Sequence, residues 1–381
     1  MHSKIPLVHF KVNGKIIFNE LLARHEEYIS KKPIEFSCYD EGNAKLNWLN
    51  EPKESLDDLM LQYLLALRST HEKFILSWSG GTDSQTIYNI CVRYNIHIDE
   101  INVFYDDFDL DWFPYEPVEW IMKNHPDPTT VIIPRPRVDI DKKKLLIQNE
   151  DWAWKNVGTI NNFTIAPMDI SIEQEYQEKY GHTSWCLILG LEQPDVYFHE
   201  GQWYSRHDCI TYRGFCGFEN LIHFFTDPLL ALKQSHLAKK AFKTLDPSLW
   251  PSKNQNAKGV IYKNAENYEW WACSIGRHHE LHRGASVLQK KIQTRFEVAN
   301  INQNTIDSSD LNLSTIDRGL KAMLDKDDAV AKLFVKGLQN VLLEKNFCEH
   351  LIEDSGGSMK NSLLSKSAGR RIYSKSYCIG T

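Results

Sequence analysis

Residues 73–107 read KFILSWSGGTDSQTIYNICVRYNIHIDEINVFYDD. An apolar run at 74–78 ends on Ser79-Gly80-Gly81-Thr82-Asp83-Ser84, a helical pattern follows at 83–94, and a second apolar run closes the stretch at 101–105. Strand, glycine turn, helix and strand make a βαβ unit, which implies a parallel sheet with a right-handed crossover. The turn carries chemistry. Two adjacent glycines let the backbone take positive φ and approach an anion closely. Their N–H groups can form a nest, and the positive end of the following helix points at the same spot. Ser79 and Ser84 add hydroxyl groups. The Asp83 carboxylate would repel a phosphate unless it holds a Mg²⁺ ion that bridges phosphate oxygens.

Neither a GxxxxGK[ST] loop nor a GxGxxG fingerprint occurs in the chain, so the two commonest phosphate-binding turns are excluded. SGGTDS instead resembles the SGGxDS loop of the PP-loop ATP pyrophosphatase superfamily. That superfamily includes the synthetase parts of asparagine, GMP and NAD synthesis, 7-cyano-7-deazaguanine synthase, tRNA thiolases and PAPS reductases. The likeness spans roughly residues 70–200 and thins toward 245. The overall layout is also similar to phage-type proteins labelled asparagine synthetase-like or PAPS reductase-like.

The resemblance implies ATP and Mg²⁺ as cofactors and a reaction. ATP is cleaved between its α- and β-phosphates, AMP passes to a carbonyl, carboxyl or amide oxygen of an acceptor, and pyrophosphate leaves. Ammonia or another nucleophile then displaces AMP. Such chemistry rests on positioning and charge stabilisation. Ser79, Gly80, Gly81, Thr82, Asp83 and Ser84 would hold the nucleotide, with Asp83 on the metal. Two other outcomes of the same loop are sulfur transfer in the PAPS-reductase manner and ATP binding without turnover.

Other segments are candidates for the same site. Gly190-Leu191-Glu192-Gln193-Pro194-Asp195 follows the apolar run at 185–189. Gly190, Glu192 and Asp195 resemble the second nucleotide-facing segment of the superfamily; the plain alternative is a proline-stopped turn. Asp106, Asp107, Asp109 and Asp111 follow the run at 101–105 and could meet Mg²⁺ or a substrate cation, or form a solvated acidic loop. Lys233, His236, Lys239 and Lys240 fall on a predicted helix over 228–243. Lys233 is the choice for the lysine that the superfamily uses to stabilise phosphate in flight.

Cys273, Arg277, His278, His279, Glu280, His282 and Arg283 crowd into ACSIGRHHELHRG. Arg277 is the candidate phosphate or substrate contact there. His278 and His282 share a helix face, but no second ligand pair has metal spacing, so a polar inter-domain face is favoured over zinc. Cys209 and Cys216, with His207 nearby, read as buried thiols. No CxxC pair exists, which argues against an iron–sulfur thiolase. Cys378 sits in YCIGT, not in the ECG ending of PAPS reductases.

The rest of the chain bounds the reading. It has 381 residues, 42% hydrophobic and 25% charged, as expected for a globular protein of about two or three domains. Mean hydropathy is -0.44 and the longest apolar run, WCLILGL at 185–191, is far too short to span a bilayer. The first residues lack a signal-peptide pattern, and the eight cysteines are scattered, so a cytoplasmic, reduced protein is expected. The net charge of -6 gives no global field for nucleic acid. The last 27 residues, 355–381, carry five basic residues and no acid, so they are read as a mobile arm over the nucleotide, a nucleic-acid contact or a disordered end. A nucleic acid or nucleobase therefore stays among the possible acceptors. Position 2 is His, not the cysteine that opens asparagine-synthetase glutaminases, so any ammonia would come free or from a partner.

The fold class expected is α/β. A small N-terminal α+β region (1–54) precedes a parallel-sheet PP-loop domain (55–245) and a mostly helical C-terminal region with a basic tail (246–381). Within the first, Asn13-Gly14 flanked by alternating residues predicts a hairpin, with a helix at 19–31 and a strand near 34–40. Ser55 caps a predicted helix over 55–70, TVIIP (130–134) and WCLILGL read as strands, and a helix is expected at about 325–350.

Overall fold

In the computed structural model of the chain, the described residues are 8–18, 20–105, 115–136, 165–182, 184–190, 193–207, 220–254 and 372–381, with single positions at 329, 332, 333 and 336. The predicted βαβ unit forms: β4 (Lys73–Trp78), α4 (Thr82–Arg93) and β5 (Glu100–Tyr105). Strands β6 (Val131–Pro136), β7 (Trp185–Leu189) and β10 (Leu221–His223) complete a five-stranded, all-parallel sheet in the order β10-β7-β4-β5-β6. From β4 the chain moves outward through β5 to β6, then returns to the other side of β4 for β7 and β10. The order therefore reverses between β4 and β7.

The alternation of side chains along β4 explains the layering. Phe74, Leu76 and Trp78 face a core built with α3 (Leu56–Thr70), α4 and α5 (Glu116–Asn124). Ile75 faces the opposite way, toward Ile172 and Tyr176 of α6 (Ile165–Tyr180). With helices on both faces, the strands must be apolar throughout, and all five residues of β7 are buried. Helix α3 starts as expected: the Ser55 side chain accepts from the Asp58 N–H while Asp58 accepts from the Ser55 N–H. A buried polar lock fastens α6 to the sheet. Arg135 donates to Asn102 at 2.7 Å and forms a two-pronged bond with Glu175 at 2.7 and 2.9 Å, and Asn102 donates to the Tyr176 hydroxyl.

The N-terminal hairpin forms where Asn13-Gly14 places it. Both residues have positive φ (50° and 78°), joining β1 (Val8–Val12) to β2 (Lys15–Ile17). Strand β3 (Glu35–Cys38) pairs with β1, and α1 (Glu20–Ser30) packs on them through Ala23. A four-residue turn of helix, α2 (Asp40–Asn43), follows. The hairpin β8 (Asp195–His199) and β9 (Gln202–Arg206) has no counterpart in the sequence reading, although its Glu200-Gly201 turn also has two positive φ values. It packs against α7 (Pro228–Phe242), where the helix expected at 228–243 lies.

One expectation is overturned. Residues 372–381 are neither a loose arm nor a frayed end: β11 (Tyr377–Gly380) adds antiparallel to β9, and Ile379 is fully buried beside Trp203 and Phe242. Ile372 joins the core of the N-terminal sheet. Backbone pairing and apolar burial hold it, and neither shows in a count of its charges. The region 355–371 and most of the helix expected at 325–350 lie outside the described residues.

Candidate functional site

The loop Ser79–Gly81 leaves the carboxyl end of β4 and runs directly into α4. Gly80 has φ 64°, the left-handed conformation that glycine enters without strain. Gly81 is the residue before the helix and has no side chain to cap it; its N–H donates to the Ser79 hydroxyl at 3.4 Å. The first intrahelical bond runs from the Gln85 N–H to the Gly81 carbonyl at 3.0 Å. The N–H groups before it are those that a helix cannot pair within itself. Ser84 ties the turn together: its hydroxyl accepts from the Ser79 N–H at 3.1 Å, donates to the Gly81 carbonyl at 3.3 Å, and shares a bond with the Ser79 hydroxyl at 3.3 Å. Below the turn, Trp78 donates to Gln85 at 2.9 Å and Gln85 donates to Asn89 at 3.0 Å. The first of these buried bonds ties the end of β4 to α4.

Strand β7 delivers the second wall. It is in parallel register with β4, Leu189 opposite Ser77, so both chains leave the sheet side by side. Gly190 then lies against the start of α4: a Cβ there would sit 2.5 Å from the Ser84 nitrogen and 2.8 Å from the Asp83 carbonyl carbon. Only a residue without a side chain fits. Three residues later, Gln193 donates from Nε2 to Asp83 Oδ1 at 2.9 Å. The turn Ser79–Ser84 thus meets Gly190 and Gln193 at the carboxyl edge where the strand order reverses, the place where open parallel sheets bind ligands.

In comparisons with known proteins, no family model matches the chain and no curated protein matches it in sequence.

Of the residues singled out from sequence, Ser79, Gly80, Gly81, Asp83, Ser84 and Gly190 are brought together. The backbone of Thr82 opens α4 in the same turn. Asp195 is 5% exposed at the start of β8, and its carboxylate accepts from Arg206 Nε at 3.1 Å. That guanidinium lies between two rings, 4.4 Å from the centre of Tyr197 and 3.3 Å from that of Tyr373. Asp195 therefore anchors the hairpin that follows Gln193.

Lys233 has its ammonium on Glu51 at 2.8 Å and on the Pro52 carbonyl at 3.0 Å. Burial pushes the Glu51 carboxyl up, but hydrogen bonds from Lys233 and Lys240 outweigh it and hold the group below its ordinary range. Lys233 thus pins the segment before α3 to α7. His236, on the same helix, bonds the Trp48 carbonyl at 3.0 Å, and burial holds its ring below the usual histidine range. Lys239 donates to the Ile379 carbonyl at 2.6 Å. Cys378, in β11, donates its thiol to Gln202 at 2.8 Å.

Glu192, Asp106, Asp107, Asp109, Asp111, Cys209, Cys216, Arg277 and the histidines around it lie outside the described residues. Among the described residues no group of three acidic, histidine or cysteine side chains converges as a metal site. A Mg²⁺ ion needs less, since it keeps waters and takes one or two carboxylates together with substrate phosphates. The donors present fit that pattern: a glycine turn at a helix start and one carboxylate, Asp83, that accepts from Gln193. Sequence reasoning passed over Gln193, because a glutamine between two acids carries no spacing signal of its own.

Proposed function

We propose that the chain is an ATP pyrophosphatase of the PP-loop type, which adenylates a carbonyl, carboxyl or amide oxygen of an acceptor and releases pyrophosphate. The observation that carries the reading is the close meeting of Gly190 with the first turn of α4 at the point where the sheet order reverses. Two bare backbones in contact there bring the glycine turn and the first turn of α4 to one sheet edge, where a helix start favours an anion.

In this reading the backbone of Gly80 through Ser84 and the hydroxyl of Ser79 hold the β- and γ-phosphates. The Asp83 carboxylate holds Mg²⁺, steadied by Gln193. Bound ATP·Mg²⁺ supplies an electrophilic α-phosphorus and a pyrophosphate leaving group. The chain's contribution is to fix the triphosphate in line with the acceptor and to spread the charge that builds on the leaving oxygens over N–H dipoles. The polar lock of Arg135, Asn102 and Tyr176 keeps β5 and β6 rigid beside the site.

The test is incubation of the full chain with ATP, Mg²⁺ and cell extract, following pyrophosphate and searching by mass for an adenylated small molecule or nucleobase. Mg²⁺-dependent pyrophosphate with an AMP adduct supports the reading. ATP binding with no pyrophosphate under any extract reduces it to a nucleotide-binding protein, and loss of turnover on alkylating Cys378 would favour sulfur transfer.

A further inference from the structure

We infer that Gln193 is a positioning residue, holding the Asp83 carboxylate in the orientation that receives the metal of a metal·triphosphate ligand. The inference rests on the function proposed above and concerns how the site selects its metal.

Three observations carry it. First, the contact is specific: Nε2 lies 2.9 Å from Asp83 Oδ1, and because a carboxylate only accepts, the amide must turn its N–H toward it. Second, the contact is long-range. It joins residues 110 apart in sequence, one on each side of the switch point, by a side-chain bond. Third, Gln193 is badly suited to a stabilising role. It is 7% exposed, and its Oε1 is buried with no hydrogen-bond partner among the described residues. A half-satisfied buried amide costs stability, and an apolar side chain of the same length would avoid that cost. A glutamine kept there for packing is therefore a poor choice, whereas one kept to aim Asp83 is a good one. Its own placement is fixed from behind: two residues on, Asp195 is locked to Arg206, and Gly190 presses the other end of the segment onto α4.

The experiment compares the full-length wild type, Gln193→Met, Asp83→Asn and the double variant. Bound Mn²⁺ is counted by electron paramagnetic resonance with α,β-methylene-ATP present; affinity for the analogue without metal and the melting temperature are measured alongside. Gln193→Met is expected to weaken Mn²⁺ about 10–100-fold, the usual loss when a group orienting a metal ligand is removed. Metal-free affinity for the analogue should not change, and the melting temperature should hold or rise. In the Asp83→Asn background the same substitution should have no further effect on Mn²⁺, because Gln193 acts through Asp83.

Equal Mn²⁺ affinity in wild type and Gln193→Met overturns the inference and leaves the proposed function standing. So does a loss that persists undiminished when Asp83 is already Asn, and so does a Gln193→Met chain that binds normally but melts lower, which would make the contact purely structural. If the wild type itself retains no Mn²⁺ with the analogue, the proposed function fails and this inference falls with it.

Discussion

Gly190 and Ser84 belong to different loops, yet a single methyl group on Gly190 would lie 2.5 Å from the Ser84 backbone nitrogen. The obstacle is backbone and cannot rotate away. Gly190→Ala must push the end of β7 from α4, the same separation that Gln193 bridges to Asp83. Overpacking of this kind costs roughly 1–3 kcal/mol. The larger effect should fall on turnover: misplacing reacting groups by about 1 Å can cost ~10²-fold in rate. Pyrophosphate release from ATP·Mg²⁺, beside a thermal melt, checks that turnover falls further than stability.

Asp83→Ala should abolish Mg²⁺-dependent pyrophosphate release while the chain stays folded. The expected structural cost is about 1–3 kcal/mol, from leaving the Gln193 amide N–H without its acceptor. Circular dichroism and a pyrophosphate assay on the same preparation decide the matter. Unchanged turnover removes Asp83 from the mechanism.

Lys233 invites the opposite expectation. Its ammonium is engaged by Glu51 and the Pro52 carbonyl, 11% of its side chain is exposed, and Glu51 retains Lys240 at 2.6 Å if Lys233 is lost. Lys233→Met should lower stability by about 1–3 kcal/mol, the cost of a charged hydrogen bond left half-made. Turnover per folded molecule should be unchanged. A turnover loss without a melting shift would restore Lys233 to the phosphate.

The pieces legible in the sequence were those with local chemistry. Asn13-Gly14, Ser55 with Asp58, the apolar run of β7 and the glycine turn after β4 each announce themselves within a few residues. What stayed hidden depends on distant partners. Gln193 matters because of Asp83, 110 residues earlier, and Asp195 is turned aside by Arg206 on the next strand. Lys233 looked buried and is, but the carboxylate that claims it lies 182 residues away. Strand β11 follows a run of basic residues, and its role comes from the open edge of β9.

That edge gives a further prediction. Ile379 is fully buried against Trp203 and Phe242, and Tyr377 stacks on Trp48 at 4.7 Å. Ile379→Ala should destabilise the chain by about 2–5 kcal/mol, as for other buried isoleucines. Tryptophan emission should shift to the red in the denaturant range where the variant opens. An unchanged midpoint in urea would mean that β11 does not hold in solution. Removing 372–381 altogether should leave the β9 edge bare and the protein prone to associate through it.

Glu173, on α6, sets a pH dependence with a definite sign. Burial raises its carboxyl to about 7, against which the hydrogen bond from Gln177 works only in part. In the unfolded chain the group ionises near 4.5. Between these two values the folded state binds the proton more tightly than the unfolded one, so stability falls as pH rises from 4.5 through about 7 and levels off above. Gln at this position mimics the neutral carboxyl at every pH. Glu173→Gln should therefore melt higher than wild type at pH 8, with the gap closing as the pH is lowered toward 4.5. His236 works in the other direction, losing stability on acidification below about 6.5, but it is present in both chains and cancels in the difference. A gap that does not change with pH would place the Glu173 carboxyl in water.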